Sequence, residues 1–198
     1  MSWLAVELFR KGMIKIGRYK LTSGLESPFY IDLRQLYSYP DVIEKLVTEL
    51  CSAWDLSSYD VIVGIATSGL VLASFIACRL NKPLSYVRID RKAHGTQSIV
   101  EGVVESKSCL IVDDVATTGG SIEHAYNAIK EVRGIPIAAL VVVDREQGAR
   151  KKIESLGMKF YSYINVSNIF KHLYEKELID TRTYDEVINY IKRFNQDL

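Results

Sequence analysis

Two adjacent carboxylates, Asp113 and Asp114, stand between a short apolar run and a cluster of hydroxyl and glycine residues. Upstream, Cys109 to Val112 is rich in β-branched residues, a pattern that predicts a buried parallel strand ended by the acids. Downstream, Thr117, Thr118, Gly119, Gly120 and Ser121 lead into Ile122, Ala125, Ile129 and Val132, which are spaced as one face of a helix, and Gly134 is placed to stop it. Such a turn from strand to helix gathers free backbone N–H groups, hydroxyl donors and the positive end of a helix dipole at one point, which makes an anion site. The acid pair repels that same anion, so it must meet another part of the ligand, either sugar hydroxyls or a magnesium ion. One ligand carrying phosphate, ribose and metal satisfies both halves. The alternative is a plain strand end followed by a plain helix cap.

Other stretches could add groups to such a site. Val61 to Gly64 reads as a second buried strand, followed by Ile65, Ala66, Thr67, Ser68 and Gly69 and a helix from Leu70 to Leu80. The Gly64 to Gly69 spacing could be taken for a mononucleotide P-loop, but Leu70 and Val71 stand where that motif needs Lys and Ser or Thr, and no G-x-G-x-x-G is present. A strand from Leu84 to Ile89 leads into the polar segment Asp90 to Ser98, which carries Arg91, Lys92, His94 and Gly95 and reads either as a cationic flap or as an inert hairpin tip. The apolar run Ile137 to Val143 ends in Asp144 and Arg145, and ligands of open parallel sheets gather at such strand ends. Tyr19 to Arg34 holds two extended segments around Ser-Gly and Ser-Pro turns. It could lay aromatic surface over a flat ligand, or be a surface hairpin with Phe29 and Ile31 packed inward. His124 and His172 read as structural or solvated.

The elements around these stretches define the fold class. Strands alternate with helices (Val42, Ile43, Leu46, Val47 and Leu50 trace one of them), which predicts an α/β fold: three layers, with a mainly parallel sheet flanked by helices. The ribbon before residue 40 and the C-terminal segments are expected to cap the strand ends. The expected layout is one domain over 1–198, with helix and ribbon in 1–40, an α/β core in 41–165 and C-terminal helices in 166–198. A short helix over Leu4 to Phe9 opens the chain, a strand from Met158 to Ile164 and a helix from Val166 to Lys176 follow the core, and Thr183 to Glu186 reads as a capping box for a last helix. The length of 198 residues suits a single core. With 25 Lys and Arg against 24 Asp and Glu, a formal charge of +1, the chain has no general pull toward nucleic acid or anionic membrane. Cys51, Cys78 and Cys109 are odd in number and lack metal-ligand spacing, so buried reduced thiols are expected. No apolar run reaches the length of a bilayer span, and the N-terminal segment has an acid within its apolar part and no basic leader, so a cytoplasmic protein is expected.

The order Ile111-Val-Asp-Asp-Val-Ala-Thr-Thr-Gly-Gly-Ser121 resembles the phosphoribosyl pyrophosphate (PRPP) signature of the type I phosphoribosyltransferases. The resemblance implies that Asp113 and Asp114 lie against the ribose hydroxyls, close to Mg2+ and holding it indirectly through PRPP hydroxyls and water. It gives Val115, Ala116, Thr117, Thr118, Gly119, Gly120 and Ser121 the 5′-phosphate, and Thr67 and Ser68 the pyrophosphate. Three further stretches are similar to the orotate phosphoribosyltransferases in particular. Leu21 to Asp32 looks like their orotate-contacting ribbon, implying contacts from Phe29 and Tyr30; Arg88 to Gly95 looks like the start of their catalytic loop, with Arg88, Lys92 and His94 on matching positions; Asp144 to Gly148 looks like the strand end whose arginine contacts orotate, implying Arg145, with Thr117 as a second contact.

The implied reaction moves ribose 5-phosphate from PRPP to N1 of orotate, with Lys92, Arg88, His94 and Asp114 as its catalytic groups. The implied assembly is a homodimer whose catalytic loop is shared between subunits, with no nucleic-acid or membrane partner. Three positions depart from the family pattern: Thr22, Ser68 and Ile89 stand where lysines are common. A phosphoribosyltransferase for another base, or a PRPP-binding regulator without catalysis, are the competing functions.

Overall fold

The computed structural model describes residues 2–20, 26–88 and 99–195. Helix α1 (Ser2–Arg10) precedes a two-stranded antiparallel ribbon of β1 (Ile14–Lys20) and β2 (Glu26–Ile31), a 3-10 turn at Leu36–Ser38, and α2 (Pro40–Ala53). The core then runs β3 (Val61–Ile65), α3 (Ser68–Leu80), β4 (Leu84–Val87), β5 (Val100–Glu101), β6 (Ser108–Ala116), α4 (Gly120–Glu131), β7 (Ile135–Asp144), α5 (Ala149–Ser155) and β8 (Lys159–Asn165). Helices α6 (Val166–Glu175) and α7 (Thr181–Asn195) follow.

The six strands β5-β4-β3-β6-β7-β8 form one sheet, parallel except for the short edge strand β5. The predicted class is therefore the observed one. Its inner strands are continuously apolar because both faces are covered. Along β6, Leu110 and Val112 join one buried cluster, while Cys109 and Ile111 join another on the opposite face. The first cluster is closed by α1, α2, α3, α6 and α7, the second by α4 and α5. The ribbon packs on the first cluster through Ile14, Phe29 and Ile31, and the Phe29 ring meets Phe170 at 5.3 Å and Tyr190 at 5.9 Å between centroids. This is the predicted cap of ribbon and C-terminal helices.

Strand order fixes where a ligand can sit. From β3 the chain moves one way to β4, whereas β6, β7 and β8 build outward the other way, so the switch point lies between the carboxyl ends of β3 and β6.

Several local expectations are corrected. β6 does not stop at the acids but continues through Asp113 and Asp114 to Ala116, because β7 pairs alongside it as far as Ala116 opposite Asp144. Ser27 and Pro28 belong to β2 and not to a turn. The predicted outer strand from Ile99 to Val104 shrinks to two residues, and β4 ends at Val87. Cys109 is buried as expected, but Cys78 is exposed and Cys51 half-buried. The last helix begins before the predicted capping box: Asp180 Oδ1 accepts from the Thr183 backbone N–H at 2.8 Å, so Asp180 caps and Thr183 sits in the first turn. Helix α5 was not anticipated.

Candidate active site

At the switch point opens a cleft of about 640 Å³, and beside it a hollow of about 260 Å³ lies within the loop from Ala116 to Ser121. On its β3 side the pairing of β6 ends at Gly64 opposite Val112, while on its β7 side pairing continues. Asp113 and Asp114 therefore lie on a held strand with one free edge toward the cleft. Asp113 Oδ1 accepts from the Asp114 N–H at 3.0 Å and Asp114 Oδ1 from the Val115 N–H at 2.9 Å, which fixes both carboxylates.

The start of α3 closes on the same strand edge. Ser68 Oγ donates to Asp114 Oδ2 at 2.7 Å, and the Tyr37 hydroxyl donates to the Ser68 carbonyl at 2.7 Å. The Ala66–Thr67 peptide is cis. A methyl group at Gly69 would stand 2.5 Å from the Val112 carbonyl oxygen and 2.9 Å from Asp113 Cα, so only glycine allows this approach. Gly69→Ala is expected to destabilise the protein by about 1–3 kcal/mol through overpacking and to weaken phosphate-ligand binding. Denaturant unfolding with and without ligand measures both, and an unchanged midpoint would refute the close packing. Below the acids, Gly119 at φ 81° turns the chain into α4 with an unfilled first turn facing the hollow.

Opposite stands Arg145 at the end of β7, its N–H bonded to the Ala116 carbonyl at 2.9 Å. Its guanidinium donates through Nη2 to Ser27 Oγ at 3.2 Å and lies 4.9 Å from the centre of the Phe29 ring. Burial lowers its pKa, though an arginine so placed keeps its charge. At the rim, Arg34 is held by Asp32 at 2.6 Å, and the Arg88 N–H donates to the Ile99 carbonyl at 2.9 Å. Residues 88 and 99 thus bring both ends of the intervening segment to the cleft.

Desolvation, and then the charge of Asp114 beside it, push the pKa of Asp113 well above the ordinary carboxylate value. The pair is thus short of positive charge. Among the described residues no group of three or more His, Cys, Asp or Glu could cage a metal. Two adjacent hard carboxylates are a donor set that fits a Mg2+ keeping much of its own water.

Residues 35–172 match the family described as the phosphoribosyl transferase domain. Over 190 residues the chain is 47% identical to the orotate phosphoribosyltransferase of Staphylothermus marinus, covering 96% of this chain and 94% of that protein. The chain belongs to the orotate phosphoribosyltransferase family. A relative from Sulfolobus acidocaldarius with the same description is 43% identical over 87% of each chain. The crystal structure of orotate phosphoribosyltransferase from Aeropyrum pernix is similar with a TM-score of 0.79 and 34% identity, over 89% of this chain and 99% of that one.

With the chain in the orotate phosphoribosyltransferase family, the residues expected to act can be located. Thr67, Ser68, Arg88, Asp113, Asp114, Val115, Thr117 and Ser121 line the cleft, and Ala116, Thr118, Gly119 and Gly120 line the adjoining hollow. Arg145 and Tyr30 also line the cleft. Phe29 does not: its ring is wholly buried, beneath Arg145 and against Phe170, because inward packing of the ribbon takes the alternate residue. Lys92 and His94, with Thr22 and Ile89, lie outside the described residues. Sequence reasoning missed Asp32, Arg34 and Tyr37, and read His124, which lines the cleft, as having no site role. The Asp-x-Arg spacing directly after the ribbon was the signal available for the first two.

Proposed function

We propose that the cleft binds PRPP and orotate side by side, and that this chain transfers ribose 5-phosphate to N1 of orotate, giving orotidine 5′-monophosphate and pyrophosphate in pyrimidine biosynthesis. One observation carries the placement: the acid pair on β6 and Arg145 on β7 converge on a single cleft at the switch point. The hollow of residues 116–121 takes the 5′-phosphate through backbone N–H and hydroxyl donors. Asp113 and Asp114 take the ribose hydroxyls, and Thr67 and Ser68 the pyrophosphate. Arg145 and Tyr30 take orotate, the guanidinium matching its carbonyl and carboxylate oxygens.

As the bond from C1 to the pyrophosphate oxygen breaks, positive charge grows on the sugar and negative charge on the leaving group. Asp113 and Asp114 face the cationic sugar side. Arg88, Lys92 and His94 face the leaving pyrophosphate, and a flap closing over it excludes water that would capture the sugar. Bound Mg2+ supplies charge neutralisation at the pyrophosphate. The enzyme acts as a homodimer whose loop 89–98 reaches the neighbouring site, and it works in the cytoplasm, which the exposed thiol of Cys78 supports.

A panel pairing PRPP with orotate, uracil and purine bases tests the substrate, with orotidine 5′-monophosphate the expected product. Preference for another base would overturn it. Arg145→Ala is expected to raise the orotate KM by about 10- to 100-fold, the worth of a charge-assisted contact, with the PRPP KM little changed. Equal loss toward both substrates would mark a structural defect instead.

A further inference from the structure

Arg145 lines the cleft although only 6% of it is exposed, so something must aim it from behind. A long side chain with four rotatable bonds before its planar fork does not hold one orientation by charge alone. Ser27, 118 positions earlier, is 1% exposed, and its hydroxyl donates to the Phe29 carbonyl at 2.8 Å. That bond uses the only hydrogen the hydroxyl has, so its oxygen is left as an acceptor, and Arg145 Nη2 donates to it at 3.2 Å. The Phe29 ring lies 4.9 Å from the guanidinium carbon and sets its plane, while Phe170 and Tyr190 hold the ring.

The neighbours of Arg145 are tied down as well. Both Glu146 carboxylate oxygens accept from Ser167 at the start of α6, from its N–H at 2.7 Å and its hydroxyl at 3.0 Å. Gln147 Nε2 donates to the Tyr190 hydroxyl of α7 at 2.8 Å. The strand end is thus braced to both C-terminal helices, and Ser27 and the Phe29 ring join it to the ribbon. Among the described residues the buried Arg145 Nε has no hydrogen-bond partner.

We infer that Ser27 is the positioning residue for Arg145, and that this hydrogen bond makes the site select a pyrimidine bearing a carboxylate over uracil, which lacks one. The role of Ser27 rests on Arg145 being the orotate contact. Without the hydroxyl, the guanidinium keeps its charge but loses its fixed direction, so binding of the planar carboxylate suffers while the PRPP side, built on β6 and α3, does not.

The test is a double-mutant cycle read in substrate-specific constants. Ser27→Ala is expected to raise the orotate KM about 10-fold, with kcat, the PRPP KM and the unfolding midpoint close to wild type, and to narrow the preference for orotate over uracil. Ser27→Thr, which keeps the hydroxyl, is expected to restore the orotate KM. Combined with Arg145→Ala, the Ser27→Ala change is expected to add nothing further. Additive effects in the double variant, an equal rise in both KM values, or an unchanged orotate KM in Ser27→Ala would each overturn the positioning role. If Arg145→Ala alone leaves the orotate KM unchanged, the placement of orotate fails and Ser27 loses its role with it.

Discussion

Lys92→Ala is expected to lower kcat by about 10²- to 10³-fold, the effect of removing one preorganised donor from a developing anion, while PRPP affinity changes little. The expectation grows from what the cleft holds without that residue. Its described cations are Arg34, Arg88 and Arg145, of which Arg34 is already matched by Asp32 and Arg145 is committed to the ribbon side. The first turn of α3 presents the neutral Ser68 to the cleft. In the proposed reaction, charge appearing on pyrophosphate in the transition state is therefore expected to depend on Lys92, and a contact made only as the bond breaks would lower kcat without changing ground-state binding. Steady-state kinetics with PRPP titrated separately read this directly. A raised PRPP KM at constant kcat would make Lys92 a ground-state binding group instead.

The same residue tests the shared site. Arg88 and Ile99, on either side of the segment that carries Lys92, are hydrogen-bonded to each other at the cleft rim. In a two-fold dimer, mixing Lys92→Ala with Asp114→Asn subunits leaves one intact site in each mixed dimer if Lys92 acts across the interface. Random re-pairing of equal amounts then restores about one quarter of wild-type activity. No recovery after proven subunit exchange would place Lys92 in its own subunit's site.

What the sequence revealed and what it hid divide along the range of the interactions involved. The strand–loop–helix units at β3–α3 and β6–α4 were legible because apolar runs, glycines and helical spacing are local signals. That β6 extends past its acids was not, since the cause is the partner β7 pairing through Val115 opposite Val143. Likewise Tyr37 reaches Ser68 across 31 positions and Arg145 reaches Ser27 across 118, contacts that no local pattern encodes. Phe29 illustrates the other limit. A motif can mark a ribbon as part of a site, yet strand alternation decides which of two adjacent aromatics faces the ligand, and here it is Tyr30 that lines the cleft. Helix α5, short and carrying Arg150, Lys151 and Lys152, forms where Ala149 and Ile153 find a buried face, which its composition alone did not announce.

Asp113→Asn should separate function from stability at one atom. Its carboxyl has a raised pKa because burial and Asp114 disfavour the charge, so between the unfolded and folded pKa values the folded protein binds more protons than the unfolded chain. Stability consequently falls as pH rises through that window, and the ionised form of the group is a burden on the fold. Asparagine keeps an oxygen to accept the Asp114 N–H but carries no charge, so Asp113→Asn is expected to unfold at a higher temperature at neutral pH and to lose that part of the pH dependence. Ligand binding moves the other way. Sugar hydroxyls donating to an ionised acceptor are worth about 1.5–3 kcal/mol, so PRPP with Mg2+ should bind ~10- to 150-fold more weakly. Wild-type affinity should itself fall as pH is lowered through the raised pKa, whereas the variant's should not follow it. Asp114→Asn is expected to show the same loss of affinity, since Asp114 Oδ2 also holds Ser68 and thereby the start of α3. Calorimetry with PRPP and Mg2+ across pH, paired with thermal unfolding of both variants, measures each arm. PRPP affinity unchanged in both would remove the acid pair from the ligand, and a lowered unfolding temperature in Asp113→Asn would show the ionised carboxylate to be part of what holds the fold together.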